Sequence, residues 1–450
     1  MYLYGLAAYF LFILFCAFTV RVDGIAVKML LAFFAWLVAT RPLLLDAYLS
    51  ESMLFIVPLA LNIAIMCFGA SLDENGRKRI FLIISAVVCV FCFLICIGVL
   101  YAAITRRNII LPLYIEIIMK EEGGLHYMDL RATHRNTSSQ WYCICFCLAA
   151  VLGALSKKKL VKVLCSIMMA AFYVAVSIGL SRISMIALAI AMGMMVALIL
   201  IKHFKNKKTS VHVAFGLAAV LVVTPVIYKS YNLVGSAVEK LSLAVTPIGQ
   251  LAEETEMRDD ENANLDDSDV IPVVEIEEGD SMYTETRSKE NTMMLGGRVL
   301  VWKSIASVVR YEPWRVNFGG LNKDYMAAIN RTISNTDPSA VVVNTHNYLI
   351  ETLMLTGVPG LILMALFSLF LVVRMIKVFF SPDAALLPKL LTIPLTATLF
   401  KGLGEATLIF HDRVGNDITN YIFFLAAGIF LAYSYELFPE KRRRAKREEK

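Results

Sequence analysis

Charge is scarce in this chain. Asp, Glu, Lys and Arg together make up only 18% of 450 residues, against 58% hydrophobic residues and a mean hydropathy of +0.66, which excludes a water-soluble globule. Cysteine is missing beyond residue 165: all nine (16, 67, 89, 92, 96, 143, 145, 147, 165) lie in or beside apolar runs, and none is in the longest hydrophilic segment. The every-second-residue spacing of Cys143, Cys145 and Cys147 scatters their thiols around a helix axis. They read as packing residues, and neither a disulfide framework nor a zinc site follows. The first apolar run, Tyr2 to Val20, lacks a basic leader and a small-residue cleavage site, so it is read as a retained span and not as a signal peptide. Asp-x-Asp-x-Asp-Gly spacing is absent as well, and no calcium loop is expected.

What the chain has in abundance is apolar runs of membrane-crossing length. A helix needs about 20 apolar residues to cross roughly 30 Å of hydrocarbon. Such runs lie near 2–20, 24–40, 52–71, 80–104, 140–156, 160–180, 183–201, 211–228, 358–380, 385–403 and 418–436. Only Ser181-Arg182 separates 160–180 from 183–201, which predicts a tight antiparallel hairpin. The basic residues give one consistent orientation, because Lys and Arg in short loops stay in the cytoplasm. With Lys441–Arg447 inside, Arg77-Lys-Arg79, Lys157–Lys159, Lys202–Lys208 and Arg374 with Lys377 all fall inside too. The exported side then receives 41–51, 105–139, Ser181-Arg182, 229–357 and 404–417, and eleven spans put the N-terminus outside.

The expected organisation is an N-terminal bundle over 1–228, a long exported loop over 229–357, C-terminal helices over 358–436 and a basic cytoplasmic tail over 437–450. Within the loop, residues 251–290 carry 15 Asp and Glu against 3 Lys and Arg, too polar a stretch to fold compactly. Val299, Trp302, Ile305 and Val309 then recur at helical spacing over 296–310, marking an amphipathic helix. Gly296-Gly297-Arg298 opens it and suits a phosphate, since bare backbone and a guanidinium meet at the positive end of a helix dipole. Loop 105–139 holds Arg106, Arg107, Arg131 and Arg135, a basic surface on the disfavoured side of the membrane, and its apolar piece Ile109–Ile118 is too short to span and is expected at the interface.

Near the end of the long loop comes Asn344-Thr-His346-Asn347-Tyr-Leu-Ile-Glu351, leading to Gly357-Val-Pro359-Gly360. A helix running unbroken from Tyr348 to Phe380 would be about 50 Å long, more than the hydrocarbon needs. The glycines and proline therefore predict a break, with a short interfacial helix over 346–356 holding His346 at the surface. Loop 404–417 adds His411-Asp412-Arg413, and Asp412 is a candidate acid.

Ser181-Arg182 ahead of an apolar helix, Gly297-Arg298-x-x-x-Trp302 with Gly319-Gly320 downstream, and His346-Asn-x-x-x-Glu351 ending in Gly357-x-x-Gly360 come in an order that resembles the O-antigen ligase and polymerase superfamily. The likeness covers roughly 160–380. The acidic insertion and a count of eleven spans instead of twelve depart from the family pattern. The resemblance implies an all-α polytopic membrane protein of 11–12 spans with a large-glycosyltransferase architecture. It further implies inverting, metal-independent transfer from an undecaprenyl-diphosphate glycan at the outer face of the bacterial cytoplasmic membrane, with no cofactor and no nucleic acid.

Arg182, Arg298 and His346 are the catalytic candidates. Asn347, Gly297, Asp412, Arg131 and Arg135 are candidates for substrate binding. Guanidinium groups stabilise the charge that grows on a leaving diphosphate, and an imidazole can take a hydroxyl proton near neutral pH or position the diphosphate. The acceptor is another lipid-linked repeat unit for a polymerase, or a lipid A-core sugar or another surface acceptor for a ligase. Membrane lipids, a flippase and a chain-length regulator are the other partners implied. A lipid-linked sugar flippase is the rival of a different class, and it calls for charged groups around a cavity near mid-membrane.

Overall fold

In lipid a backbone must satisfy its own polar groups, which a helix does within one segment. The computed structural model follows that rule. It describes residues 24–40, 49–122, 125–131, 135–179, 181–204, 209–245, 317–319, 347–405, 408 and 414–439. The helices are α1 (Ile25–Thr40), α2 (Leu49–Ser71), α3 (Glu74–Thr105), α4 (Arg135–Leu155), α5 (Lys159–Ile178), α6 (Arg182–His203), α7 (Thr209–Val245), α8 (Tyr348–Phe380), α9 (Leu386–Gly404) and α10 (Val414–Leu437). Eight helices among the described residues, α3 to α10, are long and apolar enough to cross a membrane, and α1 and the 56–71 part of α2 are shorter apolar helices. The chain is an all-α polytopic membrane protein. The 2–20 run, the acidic 251–290 stretch, the 296–310 helix and the tail from 440 lie outside the described residues.

Close helix approach uses small residues where lipid offers no hydrophobic drive for association. Gly428 of α10 lies against the backbone of Met66 in α2, where a Cβ would overlap the Met66 carbonyl. The cysteines of α3 and α4 fill the core beside them, and no disulfide joins the described cysteines, all of which are buried. At one end of the bundle, Arg77 donates to the Leu72 carbonyl at 2.7 Å, pairs with Glu436 at 2.8 Å and lies over the Tyr433 ring. Arg374 donates to the Phe438 carbonyl at 2.8 Å and stacks between Phe370 and Tyr435. Two of the basic positions assigned to the cytoplasm thus meet the same terminus of α10.

The loop after α3 differs from expectation. Instead of an apolar piece lying along the interface, Ile109–Leu111 (β1), Ile115–Glu122 (β2) and Leu125–Leu130 (β3) form an antiparallel sheet in the order β1-β2-β3. The pattern is period two: Ile117 is directly opposite Leu130, and both bury against Ile95, Val99 and Ala102 of α3 and Ile178 of α5. Mean apolarity over 109–118 conceals that alternation. The run ending at 228 also continues, because α7 extends to Val245. Residues 229–245 lose hydrophobicity without meeting a proline, so the apolar run stops where the helix does not.

The hairpin expected at Ser181-Arg182 is a turn without a packed pair. α5 lies along α4, α6 lies along α7, and α5 and α6 make little contact with each other. α9 packs beside α6 instead.

α8 departs furthest. Gly357 adopts φ +71, ψ −174, so the helix is interrupted there. Beyond the break the arms are not collinear. In a straight helix residues 348 and 368 would be about 30 Å apart, yet the Tyr348 hydroxyl donates to Ser368 Oγ at 2.9 Å. The 348–356 arm therefore folds back beside the 358–380 arm, with Gly357 at the vertex. Pro359 contributes by having no N–H to return to the Leu355 carbonyl. The Thr356 carbonyl is taken up by Trp36 Nε1 of α1 at 2.7 Å, and the same indole stacks on Phe318 with centroids 6.2 Å apart. Trp36→Phe keeps the stack and loses the bond, so it is expected to cost about 1–2 kcal/mol, measured as a lower unfolding temperature in detergent. An unchanged temperature would assign the vertex to the stack alone.

Candidate functional site

The last turn of α9 is the meeting point of the elements that carry the sequence candidates. Asn347 caps α8: its Oδ1 accepts from the Leu349 and Ile350 amides at 2.9 and 3.2 Å. Its Nδ2 donates to the Leu403 carbonyl at 3.0 Å. Tyr348 is buried against Gly402, and Ile183 at the start of α6 packs on Gly404. Arg182 and Asn347 therefore open two helices at the same end of α9, the end opposite Arg77 and Arg374.

Arg182 is half-buried as the first residue of α6. Ser181 does not cap this helix through its side chain, and its Oγ lies 2.9 Å from Ser184 Oγ instead. Gly179, just before the turn, lies against Ser139 of α4. The helix dipole adds positive potential at Arg182. The Asn347 oxygen caps α8 and its amide bonds α9, so the residue ties the start of α8 to the end of α9.

Arg131 sits after β3, exposed, and donates to Glu116 Oε2 at 2.6 Å. That hydrogen bond, and then the Glu116 charge, push its guanidinium pKa further above its ordinary value. An anion binding there competes with a carboxylate already in place. Arg135 opens α4. His346, Arg298, Gly297, Asp412 and Trp302 lie outside the described residues.

A buried polar network next to this junction escaped the sequence reading. Lys401, 1% exposed near the end of α9, donates to the Asn136 carbonyl and to Gln140 Oε1 at 3.1 Å. Asn136 Nδ2 donates to Glu405 Oε1 at 2.7 Å, and Gln140 Nε2 donates to Thr419 Oγ1 at 3.0 Å. The network joins α4, α9 and α10. The available signal was a lysine inside the apolar run 385–403, since an ionisable residue in a span is rarely idle. Among the described residues, no group of three or more His, Cys, Asp or Glu side chains could hold a metal ion.

Among curated proteins none matches the chain. A protein-family model described as O-antigen ligase matches residues 164–365, from α5 through the turn at Arg182 and the vertex at Gly357 into the second arm of α8. The chain is a multi-pass membrane protein that over residues 164–365 is similar to the O-antigen ligase family, a likeness that supports a glycosyl-transferring enzyme.

Proposed function

We propose that the protein polymerises undecaprenyl-diphosphate-linked oligosaccharide repeat units at the exported face of the bacterial cytoplasmic membrane, its C-terminus in the cytoplasm. The observation that carries this reading is the convergence of Arg182 and Asn347 on the last turn of α9, both within the matched family segment. His346, one residue before Asn347, is attached to that junction by chain continuity. Arg298 belongs to the long loop, whose 317–319 segment grips the vertex of α8.

In the proposed reaction the acceptor hydroxyl oxygen attacks the anomeric carbon from the face opposite the diphosphate. The new C–O bond forms as the carbon–oxygen bond to phosphate breaks, the bonding pair leaves on the polyprenyl diphosphate, and configuration inverts. His346 accepts the hydroxyl proton. Arg182 and Arg298 stabilise the charge growing on the leaving group, with no metal required. Gly297 brings backbone amides to the phosphates, and Asp412, Arg131 and Arg135 line the approach. Lipids, a flippase and a chain-length regulator are the expected neighbours in the membrane.

The description of the matched family favours a second reading, ligation of a finished glycan to lipid A-core or another acceptor. Deleting the gene and sizing the lipid-linked glycan separates them. Single repeat units accumulate if the protein polymerises, and full-length unattached chains accumulate if it ligates. An unchanged glycan profile overturns both.

A further inference from the structure

The Lys401 network is the largest buried charged assembly that the proposed chemistry leaves unused, and it lies in one turn of α9. On one side of that turn, Leu403, Gly402 and Gly404 hold Asn347, Tyr348 and Ile183. On the other, Lys401 and Glu405 hold Asn136 and Gln140 of α4, and Gln140 passes the connection to Thr419 of α10. Glu405 follows Lys401 by one helical turn and its amide donates to the Lys401 carbonyl at 2.9 Å, so the two side chains project from a common stretch of backbone. Both are almost fully buried, at 1% and 4% exposure.

A charged pair in this setting is not needed for stability, because apolar residues of similar volume commonly serve as well or better. What ions and amides add is directional bonding, which fixes the axial position and rotation of a helix end where apolar packing tolerates sliding. Here the fixed object is the turn on which the starts of α6 and α8 rest.

We infer that Lys401 and Glu405 are positioning residues for glycan transfer: with Asn136 and Gln140 they lock the last turn of α9, and through Leu403 and Gly404 that turn sets Asn347 and the start of α6 relative to each other. The inference rests on the proposed placement of Arg182 and His346 at the reacting diphosphate. Neither Lys401 nor Glu405 touches substrate. A shift of about 1 Å in the groups that do is enough to lower turnover by about a hundredfold.

The test uses the full-length protein in proteoliposomes with the lipid-linked glycan that accumulates in the deletion strain. Lys401→Met, Glu405→Leu and the double variant are compared at equal amounts of monodisperse, folded protein. Each single variant is expected to lower kcat at least tenfold while the apparent KM for the glycan stays within threefold. The double variant should fall no further than the worse single one, because the two residues act as a unit.

A kcat at the parent level per folded molecule, a loss confined to KM, or losses that multiply in the double variant would each overturn the inference. Should Lys401→Met not fold, Glu405→Leu carries the test alone, since it removes the acceptor for Asn136 and leaves both Lys401 bonds in place. Arg182→Ala and His346→Ala run alongside. If both stay active, the reaction-site reading itself falls. If both are inactive while the Lys401 and Glu405 variants turn over normally, only the positioning role falls.

Discussion

Arg182→Ala is expected to lower the rate of glycan transfer by about 10²–10³-fold, the usual cost of removing one preorganised donor from a developing anion. The residue opens α6 at the positive end of its dipole, half-buried, beside the α9 turn that also receives Asn347. Arg182→Lys should recover part of the rate, since it restores a point charge without the two-pronged planar geometry that fits a phosphate. The effect belongs on turnover and donor use and not on the unfolding temperature. Transfer assayed with the deletion strain's lipid-linked glycan decides it, and an alanine variant within threefold of the parent removes Arg182 from the site.

The second large effect is on structure. Gly357→Ala is expected to destabilise the protein by several kcal/mol. At φ +71, ψ −174 an L side chain pays roughly 1–3 kcal/mol in backbone strain alone. Its Cβ would also overlap the Asn317 carbonyl, and Gly319, itself at φ +78, is pressed as closely onto the Leu355 carbonyl. Neither backbone can retreat without giving up the other contact. A lower unfolding temperature in detergent, with loss of transfer in parallel, is the expected result. Full stability of the alanine variant would contradict the vertex geometry.

The helices were readable because an apolar run of span length has few other solutions in lipid, and the positions of α3 to α6, α9 and α10 follow from hydropathy alone. Direction was not readable. Gly357-Val-Pro-Gly360 announces an interruption, yet nothing in its spelling says that Tyr348 returns to Ser368; that depends on Trp36 and Phe318, distant in sequence and each ordinary on its own. Nor did the sequence around Asn347 announce that its side chain caps α8 and bonds α9. Lys401 was hidden by averaging: two lysines, Lys389 and Lys401, in a run of mostly apolar residues hardly move a hydropathy window. The sheet of 109–130 was hidden in the same way, its alternation flattened into a short apolar stretch. Arg182 stood out in the sequence by its place in a two-residue turn between two apolar runs.

The fold-back of α8 has a mechanical corollary. A nine-residue arm of about 13 Å set at Gly357 has the 317–319 segment at its fulcrum and Asn347 at its far tip. The chain that holds the fulcrum belongs to the same loop that carries Arg298. Because the backbones at the vertex are pressed together, a small change of angle there is a larger displacement at the tip. The grip of 317–319 on Gly357 therefore sets where Asn347 meets the end of α9.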